Sequence, residues 1–146
     1  KLKLSSTKTI VKDKSIILID DSLVRGTTCH KIVKMLYESG AREVHVRIAC
    51  PEIKYPDFYG VDMPTRKELL AYNKINSEMC KYINAKSLSF LSLDGLYRAL
   101  CGEKRNLIYP QFSDHYFTGD YPIKPLDNLQ GLQIKQLSLL SGKSSN

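Results

Sequence analysis

Two adjacent carboxylates, Asp20 and Asp21, close the aliphatic run Ile16-Ile17-Leu18-Ile19. Ser22-Leu23-Val24-Arg25-Gly26-Thr27-Thr28 follows directly, and a helical pattern begins there. A hydrophobic strand that ends in polar residues delivers them where open α/β sheets place ligands. The helix start offers free N–H groups and a partial positive charge, which suit phosphate. Gly26 permits close backbone approach or a positive φ. Thr27 and Thr28 can cap the helix or donate hydroxyls to phosphate oxygens. Carboxylates beside a phosphate need hydroxyl donors or a cation. Ribose 2′- and 3′-hydroxyls are such donors, and Mg²⁺ takes one or two carboxylates with phosphate oxygens and water. The expected ligand is therefore a ribose 5-phosphate unit with a metal nearby. Successive strand side chains point to opposite faces, so both carboxylates reach one sugar only if the strand ends at Asp20. On spacing alone, an Asp-Asp-Ser turn capping an ordinary βα loop remains an equal alternative. The segment is not a Walker loop, since no Gly-Lys-Ser/Thr follows at the right distance, and no Gly-x-Gly occurs anywhere.

The elements that must position these groups read as a βαβ unit. Ile16–Ile19 is a continuous apolar run, which predicts a strand buried on both faces of a parallel sheet. Ile32, Val33, Leu36 and Tyr37 mark one helical face. Ser39-Gly40 stops that helix, with Gly40 as its left-handed C′ residue. Val44–Ala49 alternates apolar and polar residues as a second strand, and a right-handed crossover is expected. Before the first strand, Lys12-Asp13-Lys14 reads as a turn. After the second, a Pro- and Tyr-rich loop runs from Pro51 to Pro64. Thr65 with Glu68 forms a capping-box pattern. Leu69, Tyr72, Ile75, Met79, Tyr82 and Ile83 then trace one apolar stripe to about Ile83, expected to pack in the core. Ser87–Leu93 suggests a short strand, and Asp94–Leu100 a short helix ended by Gly102. Phe117–Pro122 reads as an ordered arm. From about Gly131 onward the chain is rich in Ser, Lys and Gln and is expected to fray. The fold class is α/β, a parallel sheet with flanking helices. Only two or three strands are present, so the sheet is also expected to expose an unpaired edge and one uncovered apolar face.

At 146 residues the chain has the size of one domain, with ordinary charged (25%) and hydrophobic (42%) fractions. These values exclude collagen-like, coiled-coil and wholly disordered chains. A net charge of +7 suits phosphorylated metabolites or a solvated basic surface. No arginine-rich arm, aromatic RNA-binding strand or zinc finger accompanies it, so nucleic acid is not the expected partner. No apolar run approaches the ~18 residues of a membrane span, and the start lacks a signal-peptide core. Lys1 stands first in place of Met, so the chain is expected to be part of a longer one. Cys29, Cys50, Cys80 and Cys101 form no CxxC pair and are expected to be reduced thiols of a cytoplasmic protein.

Ile16-Ile17-Leu18-Ile19-Asp20-Asp21-Ser22-Leu23-Val24-Arg25-Gly26-Thr27-Thr28 resembles the phosphoribosyl pyrophosphate (PRPP) motif of type I phosphoribosyltransferases. Among these, its Asp-Asp-Ser-x-Val-Arg-Gly-Thr-Thr form is most similar to the amidophosphoribosyltransferase family. Lys1–Leu4, Ala41–Ile48, Phe58–Thr65 and Phe117–Pro122 also resemble segments of that family, in order. The likeness runs from Lys1 to about Pro122, with residues 123–146 as a flexible tail.

The resemblance implies a partial type I core that transfers glutamine-derived ammonia to PRPP, the first step of purine biosynthesis. It implies that Asp20 and Asp21 contact ribose hydroxyls and help hold Mg²⁺. Ser22, Val24, Arg25, Gly26, Thr27 and Thr28 would complete the seat of the ribose and 5-phosphate. It also implies PRPP and purine nucleotides as ligands. The family's catalytic glutaminase cysteine has no counterpart here, and its pyrophosphate-binding and flexible loops precede the motif. Some relatives hold an iron–sulfur cluster through cysteines where this chain has Asp57, Ser113 and Tyr116, so none is expected. Alone, the chain is expected to be inactive or nearly so, and to form a homo-oligomer or await a partner chain supplying the missing domains. The alternative is a non-catalytic module that senses PRPP or purine nucleotides. His30 is expected at the surface rather than on phosphate. Arg47 is left between an anion contact and an internal bridge, and Tyr59 and Asp62 are expected to shape the neighbourhood of the site.

Overall fold

The computed structural model describes residues 8–60 and 65–123. Three strands, β1 (Ser15–Asp20), β2 (Glu43–Ile48) and β3 (Ser87–Phe90), form a parallel sheet in the order β1-β2-β3. The register sets Leu18 beside Val46 and Val46 beside Leu88. With a side-chain period of two, Ile16, Leu18, Val44, Val46, Ile48 and Leu88 share one face. That face packs on Cys29, Val33 and Leu36 of α2 (Thr27–Glu38) and on Met79 of α4 (Asn76–Tyr82) with the following Ile83. Leu70 and Ala71 of α3 (Leu70–Asn73) join the same core.

The opposite face carries Ile17, Ile19, His45, Arg47, Ser87 and Ser89. Ile17 and Ile19 are 64% and 72% exposed, which corrects the expectation that β1 is buried on both faces. The core-forming helices lie against the other side. The exposed apolar surface expected from the strand count is therefore found at β1, whereas β2 and β3 bring half-buried His45, Arg47 and Ser87 to this face.

The helix end at Gly40 follows its sequence. Gly40 has φ 95°, and Ala41 N–H returns to the Leu36 carbonyl at 3.1 Å. Asp13, also at positive φ, donates its N–H to the Gly40 carbonyl at 2.8 Å. The Lys12–Lys14 turn, which follows a short helix α1 (Lys8–Val11), is thereby tied to the end of α2.

The single helix expected from Thr65 to Ile83 is three pieces: a 3₁₀ turn at Arg66–Glu68, then α3, then α4. The Asn73 side chain donates to the Lys67 and Leu69 carbonyls at 2.7 and 2.8 Å, satisfying carbonyls that a continuing helix would claim. Lys74 is extended, and Glu78 then accepts the Ile75 N–H at 3.0 Å to start α4. Of the expected capping box, Thr65 Oγ1 meets Glu68 Oε1 at 3.5 Å, without reaching a backbone N–H.

β3 stops at Phe90, short of the expected Leu93. Ser92 instead caps α5 (Leu93–Cys101) by accepting the Gly95 N–H at 3.0 Å. Gly102 ends that helix at φ 76°. The arm beyond is ordered by α6 (His115–Thr118) and a buried polar knot. Asp114 accepts from the Tyr97 hydroxyl at 2.8 Å and pairs with Arg105, which also reaches Asp120 at 2.6 Å. The N-terminal match and the tail from residue 124 lie outside the described residues.

Candidate functional site

Asp20 is the last residue of β1, and its carbonyl accepts the Ala49 N–H at 2.9 Å. Beyond it the chain leaves the sheet, meeting the condition for both carboxylates to serve one ligand. Asp21 N–H donates to Asp20 Oδ1 at 3.1 Å, and Ser22 Oγ donates to Asp21 Oδ1 at 3.3 Å. One oxygen of each carboxylate is thus engaged within the loop.

The loop enters α2 through Gly26 at φ 76°. The first bond of the helix runs from His30 N–H to the Gly26 carbonyl at 2.9 Å, so the preceding amides are its orphan donors. No side chain caps them, and the first turn holds no acidic residue. A helix N-terminus left this way favours an anion. Asp20, Asp21, Ser22, Val24, Arg25, Gly26, Thr27 and Thr28, with Leu23 and Cys29, line one pocket of about 300 Å³. All eight residues singled out in the sequence therefore converge on one concavity.

The loop is held from the other side by residues distant in sequence. Leu70 N–H donates to the Val24 carbonyl at 2.8 Å. A Cβ at Gly26 would lie 2.7 Å from Leu70 Cδ2 and 3.0 Å from Tyr82 Cε1, so a side chain there must displace both besides adopting a positive φ. Arg25 pairs with Glu68, at 2.9 Å from Nε and 2.7 Å from Nη2 to the same Oε2. Glu68 is 43 positions away, and its capping-box pattern gave no sign of this role.

His30 does not face the pocket's anion side as a free ligand. Its Nδ1 lies 2.9 Å from the Tyr82 carbonyl and ties α2 to α4. Arg47 Nη1 donates to the Val46 carbonyl and to Ser87 Oγ at 2.8 and 3.0 Å, so its bonds are internal. Cys29 and Cys50 flank the acidic pair. Burial first, then Asp20, pushes the Cys29 thiol up to about 11. Burial and Asp21 do the same for Cys50, also to about 11, against a lowering bond from the Leu23 backbone. Both remain protonated thiols at neutral pH, unsuited to nucleophilic work.

Two carboxylates do not complete a cation cage, and among the described residues no group of three or more His, Cys, Asp and Glu could hold a metal. They fit Mg²⁺ in its usual role, shared between one or two carboxylates and ligand oxygens.

A second cluster lies apart from the pocket. Asp57, Ser113 and Tyr116 gather around His115, whose Nε2 is 2.8 Å from Asp57 Oδ1 and whose Nδ1 is 3.0 Å from Ser113 Oγ. Burial, then a hydrogen bond to Asp57, raises the Tyr116 phenol. Tyr59 joins the arm through its hydroxyl, 2.6 Å from the Ile123 carbonyl, while Asp62 lies outside the described residues. The cluster joins the 51–60 loop to the arm.

Against this geometry, the chain is 54% identical over 142 residues to the amidophosphoribosyltransferase of Rhizobium etli, covering 97% of this chain and 29% of that one. It is 51% identical over 122 residues to the Staphylococcus aureus amidophosphoribosyltransferase, covering 84% of this chain and 24% of that one. By sequence, the chain belongs with the amidophosphoribosyltransferases. It spans less than a third of the length of these relatives. The fold agrees with solved amidotransferase structures. Glutamine PRPP amidotransferase from B. subtilis, complexed with ADP and GMP, superposes with a TM-score of 0.73 at 41% identity. That match covers 80% of this chain and 26% of the other. A structure described as the allosteric regulatory enzyme of purine biosynthesis gives 0.67 at 40% identity, over 80% of this chain and 25% of that one. No family model matches the chain. The three-stranded parallel sheet with its flanking helices thus matches the phosphoribosyltransferase domain of the solved amidotransferase.

Proposed function

We propose that this chain supplies the PRPP seat of an amidophosphoribosyltransferase, a cytoplasmic enzyme that forms phosphoribosylamine from PRPP and glutamine-derived ammonia. The observation that carries this reading is the convergence of Asp20, Asp21 and the uncapped start of α2 on one pocket. The Thr27 and Thr28 hydroxyls and the first amides of α2 receive the 5-phosphate. Asp20 and Asp21 accept from the ribose hydroxyls and are the residues that would hold Mg²⁺. When bound there, the ion would supply charge neutralisation for the departing pyrophosphate. The same carboxylates stabilise positive charge that develops on the ribose as pyrophosphate leaves. Purine nucleotides, which share the ribose 5-phosphate unit, are expected at the same seat.

Ammonia supply is assigned to residues outside this chain. Its two thiols nearest the pocket are held protonated, and the chain spans only a fraction of its relatives. The bare Ile17/Ile19 face and the free edge of β1 are where the remainder of the domain would dock, on this polypeptide or another. The seat is tested by amide NMR with ribose 5-phosphate and with ribose. The proposal predicts saturable shifts at Gly26–Cys29 for the phosphate ester and none for ribose. Equal shifts with both sugars, or shifts confined to other segments, would contradict it.

A further inference from the structure

The geometry points to Glu68 as the residue that positions the Arg25 guanidinium on the pocket wall, an inference that rests on the phosphate reading of that pocket. Arg25 is long and its side chain is 56% exposed, so without a partner it would sample many rotamers. Glu68 Oε2 takes both Nε and Nη2, so one edge of the planar group is bound. The opposite edge, Nη1 with the second Nη2 hydrogen, points away from Glu68 and remains a donor fork for an anion.

Glu68 is itself fixed relative to the loop. Its N–H returns to the Thr65 carbonyl at 2.8 Å, closing the 3₁₀ turn. Asn73 holds the carbonyls on either side of it, at Lys67 and Leu69. Two residues on, Leu70 bonds the Val24 carbonyl and packs where a Gly26 Cβ would sit. Segments 24–26 and 68–70 are thus joined by a backbone hydrogen bond, a packing contact and the ion pair. Because the pair is solvent-exposed, it adds little to stability. Its consequence is that Arg25 is ordered before the ligand arrives, which removes an ordering cost from binding.

Calorimetry with ribose 5-phosphate on the full chain tests this, comparing wild type, Glu68→Ala and Glu68→Gln, each also with Arg25→Ala. Glu68→Ala is expected to weaken binding roughly three- to ten-fold, the cost of immobilising one flexible side chain. Glu68→Gln keeps an acceptor oxygen and is expected to stay within about two-fold. In the Arg25→Ala background, Glu68→Ala is expected to change nothing further. The ligand-free Arg25 Nε–H signal is expected to exchange slowly in wild type and Glu68→Gln, and to lose that protection in Glu68→Ala with circular dichroism unchanged. Tighter or unchanged binding in Glu68→Ala overturns the proposal, because Glu68 then competes with the anion or is a bystander. An equal loss with Arg25 absent also overturns it, leaving only a structural role. An unprotected Arg25 Nε–H overturns it without reference to any ligand. A folded wild-type chain that binds no ribose 5-phosphate overturns the phosphate reading itself.

Discussion

Gly26 carries two constraints at once, a positive φ and a contact with Leu70 and Tyr82 that a Cβ must displace. Gly26→Ala is expected to lose about 2 kcal/mol of stability, read as a lower urea midpoint with unchanged slope. The acidic pair acts on its neighbours as well as on any ligand. Since burial and then Asp20 push Cys29 up to about 11, its thiolate is scarce below that pH. A thiol with its folded pKa raised contributes stability below the unfolded value of about 9.0, and that contribution is lost as pH rises toward 11. Labelling with a disulfide reagent at pH 8 is therefore expected to modify exposed Cys101 first. Cys29 and Cys50 should react only on unfolding. Rapid modification of Cys29 in the folded chain would contradict this assignment.

At the scale of elements, the arm depends on Asp114. Burial opposes its charge, but hydrogen bonds from Arg105 and then Tyr97 outweigh that and hold its carboxyl below the usual range. Its contribution is thus present above about 3.8, the unfolded value, and lost as pH falls through the lower folded one. Asp114→Ala leaves the buried Arg105 with only the exposed Asp120 as partner and is expected to cost about 3 kcal/mol, with the loss measured by urea unfolding at pH 7. Much of this architecture was legible beforehand. A continuous aliphatic run located β1, a helical pattern α2 and an alternating one β2, and Gly40 marked a real helix end. The pocket's lining was legible too, because it comes from one continuous segment, residues 20–29. The helix from Thr65 to Ile83 misled because its apolar stripe continues across Lys74, where the backbone is extended. The Arg25–Glu68 pair and the knot around His115 were hidden for another reason: their partners are 43 and 58 residues apart, and no periodicity encodes such meetings. Ile16–Ile19 looked doubly buried because composition reports what a strand can bury, not which neighbours are present to bury it.

The whole molecule presents a small parallel sheet with one face packed and the other bearing Ile17 and Ile19. Parallel sheets are stable when both faces are covered, and an edge strand with exposed apolar residues invites association. The chain alone is expected to self-associate with rising concentration in sedimentation velocity. Ile17→Lys/Ile19→Lys should return it to monomer while preventing reconstitution with the remainder of an amidophosphoribosyltransferase. A wild-type chain that stays monomeric at all concentrations would count against this. Among the described residues, 20–29 line the proposed seat. Calorimetric titration of PRPP into the chain, with and without Mg²⁺, beside Asp20→Asn/Asp21→Asn, tests the central claim most directly. The account predicts saturable binding strengthened by Mg²⁺ and lost in the double variant. Equal binding by both proteins, or none by a folded wild-type chain, would contradict it.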